Sequence, residues 1–280
     1  MKINLSGSER GNKVDILGKR KIWYTISTAV IAVGLLFLLI NGLNLGIDFN
    51  GGTLMEFSFA DSVTAEEVRG VLERIEVAED SKIQQSEAAG EHGILIRAKT
   101  LESEEIVRVD NAIKEEFESA EMLRTEMVGP TIGRELRINA LLAMIAASIA
   151  IVAYISFRFE FRFAAVSIIT LMHDVLITIG IFAILGREVN TPFVAALLTI
   201  VGYSINDTIV IFDRIRENMK MMHKVPFIKQ ANSAVVDTLP RSINTSITTL
   251  ITILAIYFFG GASIQTFMLA LFIGMFAGTY

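Results

Sequence analysis

The chain has no cysteine, which removes disulfides, Cys-ligated zinc, iron–sulfur clusters and a thiol nucleophile from consideration. Its three histidines, His92, His173 and His223, fall in three different regions, so no histidine-built metal site is expected. The phosphate-loop patterns GxGxxG and GxxxxGK(S/T) are missing, as are HExxH and a nucleophile elbow with a Ser–His–Asp order. Glycines do crowd Gly46-Ile47-Asp48-Phe49-Asn50-Gly51-Gly52, but a strand follows them where a nucleotide loop would lead into a helix. They read as a tight exit into that strand. No enzymatic signature, cofactor, metal or nucleic-acid partner is expected.

What the sequence has in excess is apolar surface. Hydrophobic residues make up 52% of 280, more than a water-soluble chain of this size usually carries, so the membrane class is favoured. A helix needs about 20 apolar residues to cross the ~30 Å hydrocarbon core. Six runs approach that length: Ile22–Ile40, Leu136–Phe157, Phe163–Leu185, Phe193–Phe212, Ile243–Phe259 and Ile264–Tyr280. The first follows Lys19-Arg20-Lys21, lacks a small-x-small cleavage site after it, and reads as a retained anchor. The last looks short, and a continuing charged tail is expected. The chain therefore divides into an N-terminal segment (1–21), a first span (22–41), a soluble insert (42–135) and five further spans (136–280), with a loop at about 213–242.

Lysine and arginine set the orientation. One side holds Lys2, Arg10, Lys13, Lys19, Arg20, Lys21, Arg158, Arg162 and the group Arg214, Arg216, Lys220, Lys224, Lys229 and Arg241, while the short loops opposite hold Arg187 alone. The basic side is expected to be cytoplasmic, with both termini on it, in a multi-pass membrane protein. The insert carries more than twice as many acidic as basic residues and is expected outside the cytoplasm.

Within the insert, Thr53–Phe59 alternates apolar and polar residues as a half-buried strand does. Thr64 and Glu67 form a capping-box pair opening a helix to about Ile75. Strands are expected near Lys82–Ser86 and Gly93–Ala98, with a turn at Gly90–Gly93. A helix over Ser103–Glu118 and a strand over Met122–Val128 complete the order βαββαβ. That order predicts a small α+β, ferredoxin-like domain inserted into a polytopic α-helical membrane protein.

Charges inside a span cost roughly 2.5–3.5 kcal/mol on insertion scales, so intramembrane ionisable groups are functional candidates. The third span holds His173-Asp174, flanked by Thr170 and Thr178; the fourth holds Asn206-Asp207 after Thr199, Gly202 and Tyr203, and ends at Asp213. The fifth opens with Arg241, Asn244, Thr245, Thr248, Thr249 and Thr252, spaced as one stripe of a helix. Such a stripe must face protein or a wet crevice. Two readings stay open. Asp207 and Arg241, with Asn206, Asp213 and Thr245, form a proton pathway, or the polar groups knit helices together. For His173, Asp174, Asn244 and Thr248, packing is the commoner use. A third class, an intramembrane aspartyl protease using Asp174 and Asp207, would need Tyr-Asp and Gly-x-Gly-Asp contexts that are missing.

Five segments carry a resemblance. They are Leu45-Gly46-Ile47-Asp48-Phe49-Asn50-Gly51-Gly52, Val128-Gly129-Pro130-Thr131-Ile132-Gly133, Tyr154-Ile155-Ser156-Phe157-Arg158-Phe159, the run Val201–Asn218 around Asn206-Asp207, and Arg241-Ser242-Ile243-Asn244-Thr245-Ser246. In this order the chain resembles the SecD–SecF family of protein-export membrane proteins, on the SecF side. The resemblance implies a SecD partner, a fold like the resistance-nodulation-division exporters, and work at the SecYEG translocon on exported unfolded polypeptides, driven by protons across the lipid membrane. It assigns Asp207 and Arg241 to an intramembrane functional pair, marks Gly46, Asp48, Gly51 and Gly52 as a family motif, and places a SecD aspartate where this chain has Asn206. The alternatives are a passive assembly subunit of the translocon and half of a proton-coupled small-molecule exporter.

Overall fold

The computed structural model describes residues 14–77, 81–86 and 92–280; Lys2, Arg10, Lys13 and the Gly90 side of the expected turn lie outside them. Helix α1 spans Arg20–Asn41. A two-residue strand β1 (Asn44–Leu45) and a one-turn helix α2 (Ile47–Asn50) lead into the insert. There follow β2 (Gly52–Ser58), α3 (Ala65–Arg74), β3 (Lys82–Ser86), β4 (Gly93–Ala98), α4 (Ser103–Glu116) and β5 (Glu121–Val128). Helices α5 (Pro130–Arg158) and α6 (Phe161–Leu185) come next, then β6 (Glu188–Val189), α7 (Thr191–Met221), α8 (Phe227–Phe259) and α9 (Ala262–Thr279).

The insert is built around β2. Its sheet runs β3-β4-β2-β5 with every pair antiparallel, so β2 is central and its residues from Gly52 to Phe57 are buried. Met55 and Phe57 point to one face, where they pack with Ile94, Ile96 and Ile83 against Val68, Val71 and Leu72 of α3 and Val109 and Ile113 of α4. Helix α3 starts where the capping box predicts. The Glu67 backbone N–H donates to Thr64 Oγ1 at 3.3 Å, and the Thr64 N–H donates to Glu67 Oε2 at 2.8 Å. The Thr64 N–H, with the Thr64 hydroxyl donating to the same Oε2 at 2.8 Å, holds the Glu67 carboxyl below its ordinary pKa. The other face of β2 presents Leu54 and Glu56. Glu56 is tolerated there because the register sets it opposite Arg124, 3.3 Å away.

Five helices (α1 with its preceding turn, α5, α6, α7 and α8) are long and apolar enough to cross a membrane; α9 is apolar but shorter over its described part, Ile264–Thr279. The bundle core lies where α6, α7 and α9 meet, with the Phe182 and Phe193 rings tilted against each other, 4.4 Å between centroids, beside Ile200, Val201 and Leu271. Small residues permit the closest crossing: a Cβ on Gly34 of α1 would stand 2.7 Å from the Gly180 Cα of α6.

The expected loop at about 213–242 differs. Helix α7 continues to Met221 and α8 begins at Phe227, so most of those residues are helical. The charges that suggest a loop pair across a helical hairpin. Arg214 donates to Asp237 from Nε at 3.1 Å and Nη2 at 2.6 Å, and to Glu217 at 2.8 Å. Asn218 donates to the Gln230 carbonyl, and Gln230 donates to the carbonyls of Met222 and Val225. The Asn232 side chain clips the N-terminal stretch to this hairpin, donating to Val14 O and accepting from the N–H groups of Ile16 and Leu17.

Candidate functional site

Helix α7 carries the most chemistry, and its two ends and its middle are each fixed. At the N-terminal end, Asn190 caps it by accepting from Phe193 N at 3.1 Å. Asp48 of α2 adds a second acceptor, taking the Thr191 N–H at 2.7 Å. An anionic group at a helix N-terminus also meets the positive end of the helix dipole. Towards the C-terminal end Arg214 holds Asp237 of α8. In the middle, Ser204 donates to Asp174 of α6 at 2.6 Å.

The glycine motif explains how Asp48 reaches that position. The Gly46 N–H donates to the Val189 carbonyl, extending the short parallel pairing of β1 with β6. A Cβ on Gly46 would occupy the space of the Glu188 carboxyl, 2.2 Å from its oxygen. Gly51 has φ +74° and abuts Pro130, while Gly52 has φ +131° with the Ala98 carbonyl 2.5 Å from where a Cβ would be. Both require the left-handed backbone that glycine adopts freely. The motif thus ties the exit of α1, the first strand of the insert, the start of α5 and the cap of α7 into one knot. The sequence reading as a plain turn missed α2 and this knot.

Above the knot, the open face of the sheet and the α6–α7 connection enclose a crevice of about 780 Å³. Arg97 of β4 pairs there with Glu188 of β6, the side chains 12% and 17% exposed. Burial pushes the Glu188 carboxyl above its ordinary pKa; Arg97 and Arg124 oppose that, and Asp48 and Glu126 add to it. Sequence reasoning did not find this pair, whose members lie 91 residues apart in different domains.

Of the predicted proton-pathway residues, Asn206, Asp207 and Asp213 lie on α7 and Arg241 and Thr245 on α8, two helices that pack against each other. Asp207 is half-buried, and neither its side chain nor that of Arg241 makes a hydrogen bond or ion pair among the described residues. Asn206, Thr199 and Gly202 of α7 and Arg241, Asn244, Thr248 and Thr252 of α8 are exposed. The hydroxyls of Thr245, Thr248, Thr249 and Thr252 bond to carbonyls one turn back on their own helix, as threonine does in apolar surroundings. The Tyr203 hydroxyl is buried and has no partner among the described residues. Asp213 lies apart from Asp207's face, 3.7 Å from Arg158.

His173 and Asp174 join α6 to two neighbouring helices. Asp174 is 1% exposed and lies 2.7 Å from His173 Nδ1. His173 Nε2 lies 2.9 Å from Ser27 Oγ of α1. Ser27, Ser204 and Tyr280 are members of this cluster that no local pattern in the sequence singles out.

The comparisons agree with the residues that carry the resemblance. A profile described as "Protein export membrane protein SecD/SecF, C-terminal" matches residues 108–280, and one described as "SecD/SecF GG Motif" matches residues 36–63. The protein translocase subunit SecF of Thermobaculum terrenum is 41% identical over 95% of this chain and 90% of its own length. The protein translocase subunit SecDF of Thermus thermophilus is 40% identical over 91% of this chain, which spans 35% of that longer protein. The crystal structure of SecDF from Thermus, described as a translocon-associated membrane protein, superposes with a TM-score of 0.88 at 36% identity over 95% of this chain and 37% of that one. On these matches the chain belongs to the SecD/SecF family of protein-export membrane proteins.

Proposed function

We propose that this chain is the SecF-type accessory subunit of the protein-export machinery, a transport component without catalytic chemistry. It pairs with a SecD-type subunit, works beside the SecYEG translocon, and uses the proton gradient to promote movement of unfolded polypeptides across the cytoplasmic membrane. In this reading α9 is a sixth span and both termini are cytoplasmic. The insert of residues 42–135 is a ferredoxin-like domain outside the cytoplasm, for which the strand order β3-β4-β2-β5 speaks. The fused SecD and SecF portions of the Thermus relative favour the partnership.

The observation that carries the proposal is the uncovered polar face of α7 and α8. Asn206, Arg241, Asn244, Thr248 and Thr252 are exposed on helices apolar enough to span a membrane. Hydrocarbon does not solvate an amide or a guanidinium, so this face needs protein or water against it. A second subunit bringing its own carboxylate beside Asn206 would complete a site in which Asp207 takes up a proton and Arg241 balances its charge. One elementary charge crossing the field releases about 2.3 kcal/mol per 100 mV, enough to bias a two-state domain arrangement.

The test is export of a secreted reporter in cells whose sole copy of this protein carries Asp207→Asn. The amide keeps the volume and removes the titratable group. Export at the level of the deletion strain, with the SecD-type partner still co-purifying, is the expected result. Normal export would make Asp207 a packing residue and this chain a passive assembly subunit.

A further inference from the structure

We infer that His173 and Asp174 form a proton-binding site of their own, halfway along α6, which communicates with the edge of the helical bundle through Ser27 and Tyr280. Asp174 is enclosed on every side that the structure describes. Its Oδ2 accepts from Ser204 at 2.6 Å and its Oδ1 faces His173 Nδ1 at 2.7 Å. Gly278 of α9 backs onto the carboxyl so closely that a Cβ would lie 3.0 Å from Oδ2. The Asp174 carbonyl is filled too, by the Thr178 hydroxyl at 2.8 Å.

The groups facing the pair are Ser27 from α1, Ser204 from α7, Gly278 from α9 and Tyr280, which follows α9. Among these only Tyr280 can titrate, and no described lysine or arginine pairs with Asp174. A carboxylate beside a neutral ring would leave an uncompensated charge in the middle of an apolar bundle. One added proton removes that charge. It is held as imidazolium with carboxylate or, after transfer from Nδ1 to Oδ1, as imidazole with carboxylic acid; the proton count is the same in both.

A pin made for packing needs no outlet, and this pair has one. His173 Nε2 lies 2.9 Å from Ser27 Oγ, and Ser27 Oγ lies 3.3 Å from the Tyr280 hydroxyl. The Tyr280 ring stands edge-on to the imidazole with 5.8 Å between centroids. A neutral imidazole and a hydroxyl each both donate and accept, so a proton can be handed along the series. Exposure rises along it, from a 2% exposed side chain at Asp174 to 23% at His173, with Ser27 half-buried beyond.

The test is infrared difference spectroscopy of the purified chain in lipid vesicles, titrated from alkaline to acidic buffer. The proton shows as the C=O stretch of a carboxyl or as a ring mode of an imidazolium. The pH-dependent signal of the pair is expected in the native chain, lost or moved along the pH axis in both Asp174→Asn and His173→Asn, and kept in Asp207→Asn. Its exchange with deuterium is expected to slow in Ser27→Ala, which leaves the pair intact. Superimposable titrations of native chain and Asp174→Asn overturn the inference, as does unchanged exchange in Ser27→Ala. If Asp174→Asn does not assemble, an unmoved signal in His173→Asn overturns it instead. No export assay enters this readout, and Asp207→Asn must retain the signal, so failure here is distinct from failure of the role proposed for Asp207.

Discussion

The ion pair between Arg97 and Glu188 should respond unequally to loss of its two members. Arg97 stands on the four-stranded sheet and Glu188 on the α6–α7 connection, so the pair fastens one part of the chain to the other. Burial outweighs Arg97 in setting the Glu188 carboxyl, which is why its pKa is raised although a guanidinium touches it. Glu188→Gln therefore removes an unfavourable burial of charge along with the pair, and the two losses oppose each other. Arg97→Met removes the cation and leaves the carboxylate enclosed with Asp48 and Glu126 nearby. A fully buried pair that loses one partner costs about 3–5 kcal/mol; with Glu188 17% exposed and Arg124 still acting on it, about 1–3 kcal/mol is expected for Arg97→Met, and less than half as much for the glutamine.

The backbone bond from Gly46 N–H to Val189 O lies beside the pair and reports on its opening. In hydrogen exchange measured by mass spectrometry, 1–3 kcal/mol corresponds to roughly 5- to 150-fold faster exchange of that amide. The pH dependence has a definite sign. A carboxyl whose pKa is higher in the closed state than in the open one favours closure most below its ordinary value, about 4.3. That contribution is lost as pH rises through the raised value. Removing Arg97 raises it further, so the defect of Arg97→Met should shrink as the buffer is acidified. Equal protection in native chain and Arg97→Met, or a Glu188→Gln defect as large as that of Arg97→Met, would refute the reasoning.

Two further substitutions test how α7 and α1 are held. Asp48→Ala removes the acceptor from Thr191 N and should destabilise the chain by about 0.5–2 kcal/mol, with Asp48→Asn recovering most of it, as read from thermal unfolding in detergent. Gly34→Val drives a side chain into Gly180 and should cost about 1–3 kcal/mol in the same assay, while Gly42→Ala, where the added carbon meets no atom within 4 Å, should act through its φ of +68° alone.

The apolar runs and the alternation in the insert were readable because each is a local, periodic pattern. Thr64 and Glu67 announced α3 for the same reason: a capping box needs residues three apart and nothing else. The helical hairpin around residues 213–242 was not readable, since Arg214, Glu217 and Asp237 look like a solvated loop until α8 folds back beside α7. Strands β1 and β6 are two residues each, too short for any period to register. At the candidate site, Asp207, Arg241 and Asp174 could be found because a charge in an apolar run is conspicuous. Their surroundings could not. The groups around Asp174 come from α1, α7 and α9, and a serine at position 27 resembles any other polar residue in a span.

The three attachments of α7 bear on what a proton at Asp207 could do. Asp48 holds the N-terminal end of the helix, Asp174 grips Ser204 at the middle, and Asp237 grips Arg214 towards the C-terminal end. Ser204 and Asp207 are three residues apart, so the middle attachment lies within one turn of the carboxyl. A helix fixed at three levels resists rotating about its axis to accommodate a change in charge. The face bearing Thr199, Gly202 and Asn206 has no such attachment and is exposed. A gain or loss of charge at Asp207 would therefore be expressed across that face, as movement of whatever packs there, and less as rearrangement inside this chain. Cutting the middle attachment with Ser204→Ala, while leaving Asp207 in place, should let α7 absorb part of that change. Export per unit of proton gradient should then fall although the titratable carboxyl remains. Unaltered export in Ser204→Ala would mean that α7 does not need to be held at mid-depth, and the rigid-helix argument would fail.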